Sequence, residues 1–594
     1  MAEIKLVPRS EVDPSITWDM TLLYPSDEAF YAELENLKKE MKAFKEKYEN
    51  KLGDLEVLDE AIRKYEAIEL AVYRASHYAE LPMTVDRLNP KVVENATAFE
   101  AVSVSYAENM SFVMTEIISL DEAFLNQFVS EKRPDLAYFV EKVIRQKKHT
   151  LSKDAEQVLS NLSSLPGFYQ LYEVTKHEDM QFESFEANGK TLENSFVLYE
   201  NLHEMDPDKE VRRAAAKSFY KTLNAYKNTV ANEYISQLKK EKMMATMRGY
   251  DSVIDYLLDE QDGDRELYDR QIRMLMTDLA PHMQRYIKLL AKEHGISDMQ
   301  FMDAKINLDP EFEVDMTIEE SREYLKKALG ILGEDYKAMI DESYDKRWTD
   351  FPQNIGKSTG GFCATVPNVA GFILLSWTGK MNEVFVLAHE LGHAYHFMST
   401  GKHQSILNNE CSLYFVEAPS TCNEVIVSNY LLKTSTDARF KRWVISNMIS
   451  RTYFHNMVTH YLEAVYQDRI YKMIDNNEML NADVLSNVKK EVMQEFFGDS
   501  LVVNDGAELT WMRQPHYYMG LYPYTYSAGL TIGTAIANQI EENPEHAKVW
   551  LDTLSKGGSM SAKDLAIHAG CDVSTDEPLK QAIAYVGHLV DQLE

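Results

Sequence analysis

Glu383-Val-Phe-Val-Leu-Ala-His389-Glu390-Leu391-Gly392-His393-Ala-Tyr-His396-Phe-Met398 reads as one helix. His389 and His393 are four residues apart, so both imidazoles leave one face about a turn apart. Two neutral imidazoles at that spacing can share one tetrahedral zinc ion. Glu390 sits beside the first histidine, where it reaches a zinc-bound water rather than the metal and can act as general base. Val386, Leu387 and Ala388 precede the pair and are apolar. That predicts a buried helix whose His-Glu-His cluster needs partners, rather than two structural histidines on a surface helix. His396, close beyond His393, is expected to support a ligand or simply to pack. A three-histidine site of the extended H-E-x-x-H-x-x-G-x-x-H kind needs glycine at position 396 and histidine at 399. The chain has His396 and Ser399, so a third ligand must lie elsewhere.

Downstream, Glu410, Glu417 and Glu424 recur at intervals of seven and would share a face of one continuous helix. Pro419 complicates that helix, since proline suits a first turn better than an interior. Spacing leaves Glu417 and Glu424 level as third ligand, with Glu410 behind. Upstream, glycines cluster at 356, 360, 361, 371 and 379. Phe362–Val366 and Phe372–Trp377 read as two short strands around Pro367-Asn368. A strand edge there would let an extended peptide pair beside the metal; the plainer reading is a hairpin capping the helical core.

The remainder reads as helix. Ser26 is a candidate N-cap for an amphipathic helix to about Leu52, with Phe30, Leu34, Leu37, Met41 and Phe44 on its apolar face. Similar patterns cover 57–80, 92–117, 120–146, 208–246, 265–295, 317–343, 418–433, 438–474 and 482–497. The segment 524–594 adds helices with a break at Gly557-Gly558. Only 24 Gly and 17 Pro in 594 residues favour such long regular elements. The expected fold is mainly α, with a small sheet near the metal motif.

A formal charge of -32 argues against nucleic acid and against an anionic membrane surface as partners. Cys363, Cys411, Cys422 and Cys571 form no C-x-x-C pair, which favours reduced, buried thiols. The first ten residues lack the apolar run of a signal peptide, and no stretch nears eighteen consecutive apolar residues. The expected location is the cytoplasm.

His389-Glu390-Leu-Gly-His393-Ala-Tyr-His396, with Phe415-Val-Glu417-Ala-Pro-Ser420-x-x-x-Glu424, resembles the M3 family of zinc oligopeptidases, and most closely its bacterial oligoendopeptidase F branch. Thr17-Trp18-Asp19-Met20, Tyr24-Pro25-Ser26-Asp27-Glu28, Trp348-Thr-Asp350 and Gly356-Lys357 extend the likeness over the whole chain. The resemblance implies one zinc per chain on His389, His393 and Glu417, with Glu390 as base and Glu424 positioning a ligand histidine. It implies a prolate helical body with a zincin-like core in a deep channel, residues 1–200 forming one wall and 201–594 the catalytic domain. It also implies histidine and tyrosine donors to the oxyanion, and the matching stretch here runs from His516 to Gly529. Tyr522 and Tyr526 lie a turn apart on one face, whereas Tyr524 points away. His516, Tyr526 and Tyr522 are therefore the candidates, in that order, against an aromatic cluster that only packs a core.

The expected activity is hydrolysis of internal bonds in short unstructured peptides. Two readings compete with it. A zinc aminopeptidase or carboxypeptidase would need a charged anchor for a substrate terminus, which the sequence does not identify. A non-enzymatic peptide-binding protein with a structural metal would have no use for Glu390.

Overall fold

The structure is a computed structural model. It describes residues 7–594 except 163, 164, 166 and 359, and no side chain at 153, 157, 160 or 161. Met1–Leu6, part of the stretch read as lacking a signal peptide, lies outside the described residues. Among the described residues, no helix is long and apolar enough to cross a membrane.

The fold is mainly α. Helix α1 (Asp27–Tyr48) starts where Ser26 Oγ accepts the Ala29 N–H, and it buries the five apolar residues expected of it. It packs against α2 (Leu55–Val85) and α3 (Pro90–Met110). The pattern read across 92–117 is two helices, with a break between Met110 and Phe112. Helix α4 (Lys209–Met247) runs 39 residues. Residues 317–343 also divide, because Gly333 takes φ 111° between two helices.

Five short strands are present among the described residues. β1 (Phe185–Ala187) and β2 (Lys190–Leu192) form a hairpin through Asn188-Gly189, both at positive φ. Asn-Gly is a standard two-residue hairpin turn. The other sheet orders β3 (Thr349–Asp350), β5 (Ala370–Leu374) and β4 (Phe362–Val366), with β5 central. β4 pairs antiparallel with β5, Phe362 opposite Leu374, and β3 lies parallel to β5. The second strand thus begins at Ala370 and ends at Leu374, not Phe372 to Trp377. Asn368, at φ 60°, turns the chain early enough for Ala370 to pair with Val366.

The sheet is pinned from afar. The Trp18 indole donates to Ile373 O at 2.7 Å. Asp350, fully buried, is paired by Lys357 Nζ at 2.7 Å and by Arg9. A buried carboxylate needs such partners.

Helix α5 (Asn382–His403) carries the histidine motif and lies on β4 and β5. Its other face meets α6 (Ala418–Thr434), which in turn packs on α8 (Tyr522–Glu542). Helix α7 (His460–Asp475) also packs on α8. The pattern read as one helix over 438–474 is interrupted by two π-helical segments, Met448–Tyr453 and His455–Thr459.

Candidate active site

Val384, Leu387, Ala388, Leu391 and Ala394 bury one side of α5, which turns His389 and His393 toward a cavity of about 880 Å³. That volume suits a small ligand or a stretch of peptide. Glu417 joins them. It is the junction residue between a short helix, Leu413–Val416, and α6, with Pro419 in the first turn of α6. Glu410, Glu417 and Glu424 therefore do not share one continuous helix: Glu410 precedes the short helix, Glu417 caps the start of α6, and Glu424 lies within α6. Glu410 is exposed and does not line the cavity.

Glu417 Oε2 lies 3.4 Å from His389 Nε2 and 3.4 Å from His393 Nε2. Bonds of about 2.0–2.1 Å in a tetrahedral zinc site space neighbouring donors by about 3.3 Å, so the trio fits a metal. Three protein donors leave one position of four for another group, as a catalytic site requires. Burial pushes the Glu417 carboxyl up, but His393 and His389 outweigh it and hold it well below the ordinary range. Ser420 Oγ donates to the same oxygen at 3.1 Å. Glu424 sits behind the trio: its Oε1 is 2.7 Å from His389 Nδ1, and Thr452 donates to its other oxygen. That bond fixes which nitrogen His389 turns to the cluster.

Two glycines bring the trio together. A Cβ on Gly392 would meet Pro419 O and Ser420 Cα at 2.6 Å, so only glycine lets α5 and α6 approach this closely. A Cβ on Gly529 of α8 would meet Glu417 Cβ at 2.5 Å. The third candidate ligand is thus wedged between two helices at positions without side chains.

Glu390 is 5% exposed and faces the cavity, and burial raises its carboxyl above the ordinary range. It makes no hydrogen bond or ion pair to the described residues. A Cβ on Gly361 would stand 3.3 Å from its Oε1, so the backbone just before β4 lies beside the carboxylate. Among the described residues β4 pairs with β5 only, and its first residues, Phe362 and Cys363, line the cavity. Among the cysteines, Cys422 and Cys571 are buried while Cys363 and Cys411 are half-buried, and all four are free.

His516, Tyr522 and Tyr526 line the same cavity. His516 stacks on Tyr522 with centroids 5.2 Å apart. Burial pushes Tyr522 up to about 12 and Tyr526 further up, so both phenols keep their protons at neutral pH. Burial brings His516 down to about 4, leaving a neutral ring. Tyr524 points away and packs on Tyr268 and Tyr414. His396 is fully buried, stacks on Phe397, and falls to about 3 through burial; it packs and touches no ligand. His455, His460 and Glu463 were not singled out by sequence, yet both histidines line the cavity and Glu463 bonds His460 from behind.

Peptidase family M3 matches residues 202–585, and a segment described as Oligopeptidase F matches 116–182. Oligopeptidase PepF of Bacillus subtilis is 28% identical over 100% of this chain and 90% of its own. An oligoendopeptidase F homolog of Borreliella burgdorferi is 27% identical over 97% and 98%. Two solved structures share the fold. One, from Chlamydophila abortus, has TM-score 0.86, 23% identity and 99% coverage of both chains. The other, oligoendopeptidase-F from Enterococcus faecium, has 0.73, 21%, and coverage of 96% of this chain and 98% of its own. With the family match spanning more than half of the sequence and holding the entire histidine and glutamate cluster, the chain belongs to peptidase family M3.

Proposed function

We propose that this peptidase is a zinc endopeptidase that cleaves internal bonds of short, unstructured oligopeptides, with zinc on His389, His393 and Glu417. The observation that carries the reading is Glu390, a buried carboxylate with no partner among the described residues, beside three converging donors. Zinc, when bound, supplies a Lewis acid that polarises a peptide carbonyl and makes water more acidic. Glu390 takes the proton from the attacking water and returns it to the leaving amine as the C–N bond breaks. The Tyr526 and Tyr522 hydroxyls and the His516 N–H donate to the oxygen on which negative charge develops. Their raised or lowered pKa values support this, because each stays neutral and keeps a proton to donate. The free edge of β4 supports an extended substrate backbone. A cavity of this size favours unfolded chains over folded proteins.

We further propose the cytoplasm as the place of action, supported by four free cysteines. We divide the chain into a helical N-terminal domain, 1–200, and a catalytic domain, 201–594. Lys176 and Glu200 bring the first into the cavity lining.

Metal analysis joined to mass-spectrometric mapping of cuts in a peptide library tests the reading. Half of the peptides should carry blocked N- and C-termini. The expected result is one zinc per chain and internal cuts in blocked and free peptides alike. Resistance of blocked peptides would establish an exopeptidase instead.

A further inference from the structure

Directly against Tyr526 lies a buried group that neither metal binding nor proton transfer uses. The His460 ring stacks on Tyr526, centroids 4.1 Å apart and planes 16° from parallel. It also meets His516 at 5.2 Å and 61°. Both of its ring nitrogens are engaged. Nδ1 lies 2.8 Å from Glu463 Oε2, and Nε2 lies 3.1 Å from His455 Nε2. His460 and Glu463 are each 3% exposed.

Two readings of this cluster compete. His460, Glu463 and His516 bring nitrogen and carboxylate donors within 4.8 Å of one another, as a metal site would. The distances argue otherwise. At 2.8 Å the His460–Glu463 pair is at hydrogen-bond range, short of the roughly 3.3 Å between donors on one tetrahedral zinc. The His389–Glu417–His393 trio, at 3.4 Å, has that wider spacing. His460 Nε2 is also taken up by His455.

The local backbone explains the clamp. Residues five apart on an α-helix point about 140° away from each other. The π-helical segment His455–Thr459, with bonds running from i to i+5, brings His455 and His460 together instead. In-plane bonds at opposite corners stop the imidazole turning, so its face is held flat against the phenol. A buried carboxylate is costly to keep in an apolar interior, and here its hydrogen bond fixes the orientation of one ring.

We propose that His460, clamped by Glu463 and His455, is a positioning residue that holds the Tyr526 hydroxyl where it meets the developing oxyanion. The proposal rests on Tyr526 being an oxyanion donor. Small displacements of a catalytic group can cost up to about 100-fold in rate.

The test is a double-mutant cycle on the zinc-loaded full chain with a fluorogenic peptide, using His460→Ala, Tyr526→Phe and the pair. His460→Ala should lower kcat about 10–100-fold with KM within about threefold. In the Tyr526→Phe background it should cost less than about twofold, because the group it positions is gone. Full additivity, a change confined to KM, or no change with Tyr526→Phe itself impaired would overturn the positioning role and leave Tyr526 as a donor. An unimpaired Tyr526→Phe would overturn both. Should His460→Ala not fold, Glu463→Met replaces it: that variant removes the acceptor for His460 Nδ1 at nearly the same side-chain size, with the same non-additive pattern expected.

Discussion

His389 Nδ1 lies 2.7 Å from Oε1 of Glu424, a residue seven positions beyond the candidate ligand Glu417. The bond ties α5 to α6 at the candidate metal trio and turns Nε2 of His389 toward Glu417. Outer partners of this kind orient the ligand ring and raise its basicity.

Glu424→Ala should therefore weaken zinc binding about 10–100-fold without removing any ligand. Glu424→Gln, which keeps an acceptor oxygen for Nδ1, should recover most of that loss. Competition titration against a chromophoric chelator measures both. Affinity within twofold of wild type in the alanine variant would show that the contact is incidental.

Gly392→Ala tests the helix approach that assembles the trio. Its new Cβ meets backbone atoms of Pro419 and Ser420, which cannot swing aside as a side chain could. Overpacking of this kind costs about 1–3 kcal/mol, and here it also displaces the helix start next to Glu417. A lower melting temperature together with reduced zinc content is expected. Gly53→Ala, where nothing lies within 4 Å, is the control and should change neither.

The motif helix was legible because an i, i+4 histidine pair needs no tertiary information. Glu417 and Glu424 stayed level because both reach the site, one as a candidate ligand and one through His389, a distinction made by helix packing at Gly392 and Gly529. Tyr522 and Tyr526 came from the family likeness, to which helical spacing added their shared face and the outward turn of Tyr524. His455, His460 and Glu463 were not, because π-helical segments rotate the residues after them off the face that an α-helical period assigns. β3, two residues long and paired in parallel with a distant strand, carries no local signal at all. Asn188-Gly189 did carry one, a hairpin turn the helical reading passed over.

Stability should fall as pH rises through the neutral range, and Glu241 is one cause. It is buried, accepts from Tyr471 at 2.8 Å and Gln237 at 2.7 Å, and burial raises its carboxyl to about 7. Its unfolded value is 4.5. Between those values the folded state holds the proton and the unfolded state has lost it, so stability declines with rising pH. The contribution is on the order of 3 kcal/mol, complete below about pH 4.5 and lost above about pH 7. Glu241→Gln should melt about 2 °C above wild type at pH 8, with the gap closing toward pH 5. A gap independent of pH would rule this group out.

Zinc content and peptide turnover, measured together on Glu390→Gln, test the central claim most directly. The substitution preserves shape and leaves all three candidate ligands in place, but an amide cannot accept the proton from the attacking water. The account predicts one zinc per chain, as in wild type, with kcat reduced by at least about 100-fold. Turnover within a few-fold of wild type at full zinc occupancy would contradict it.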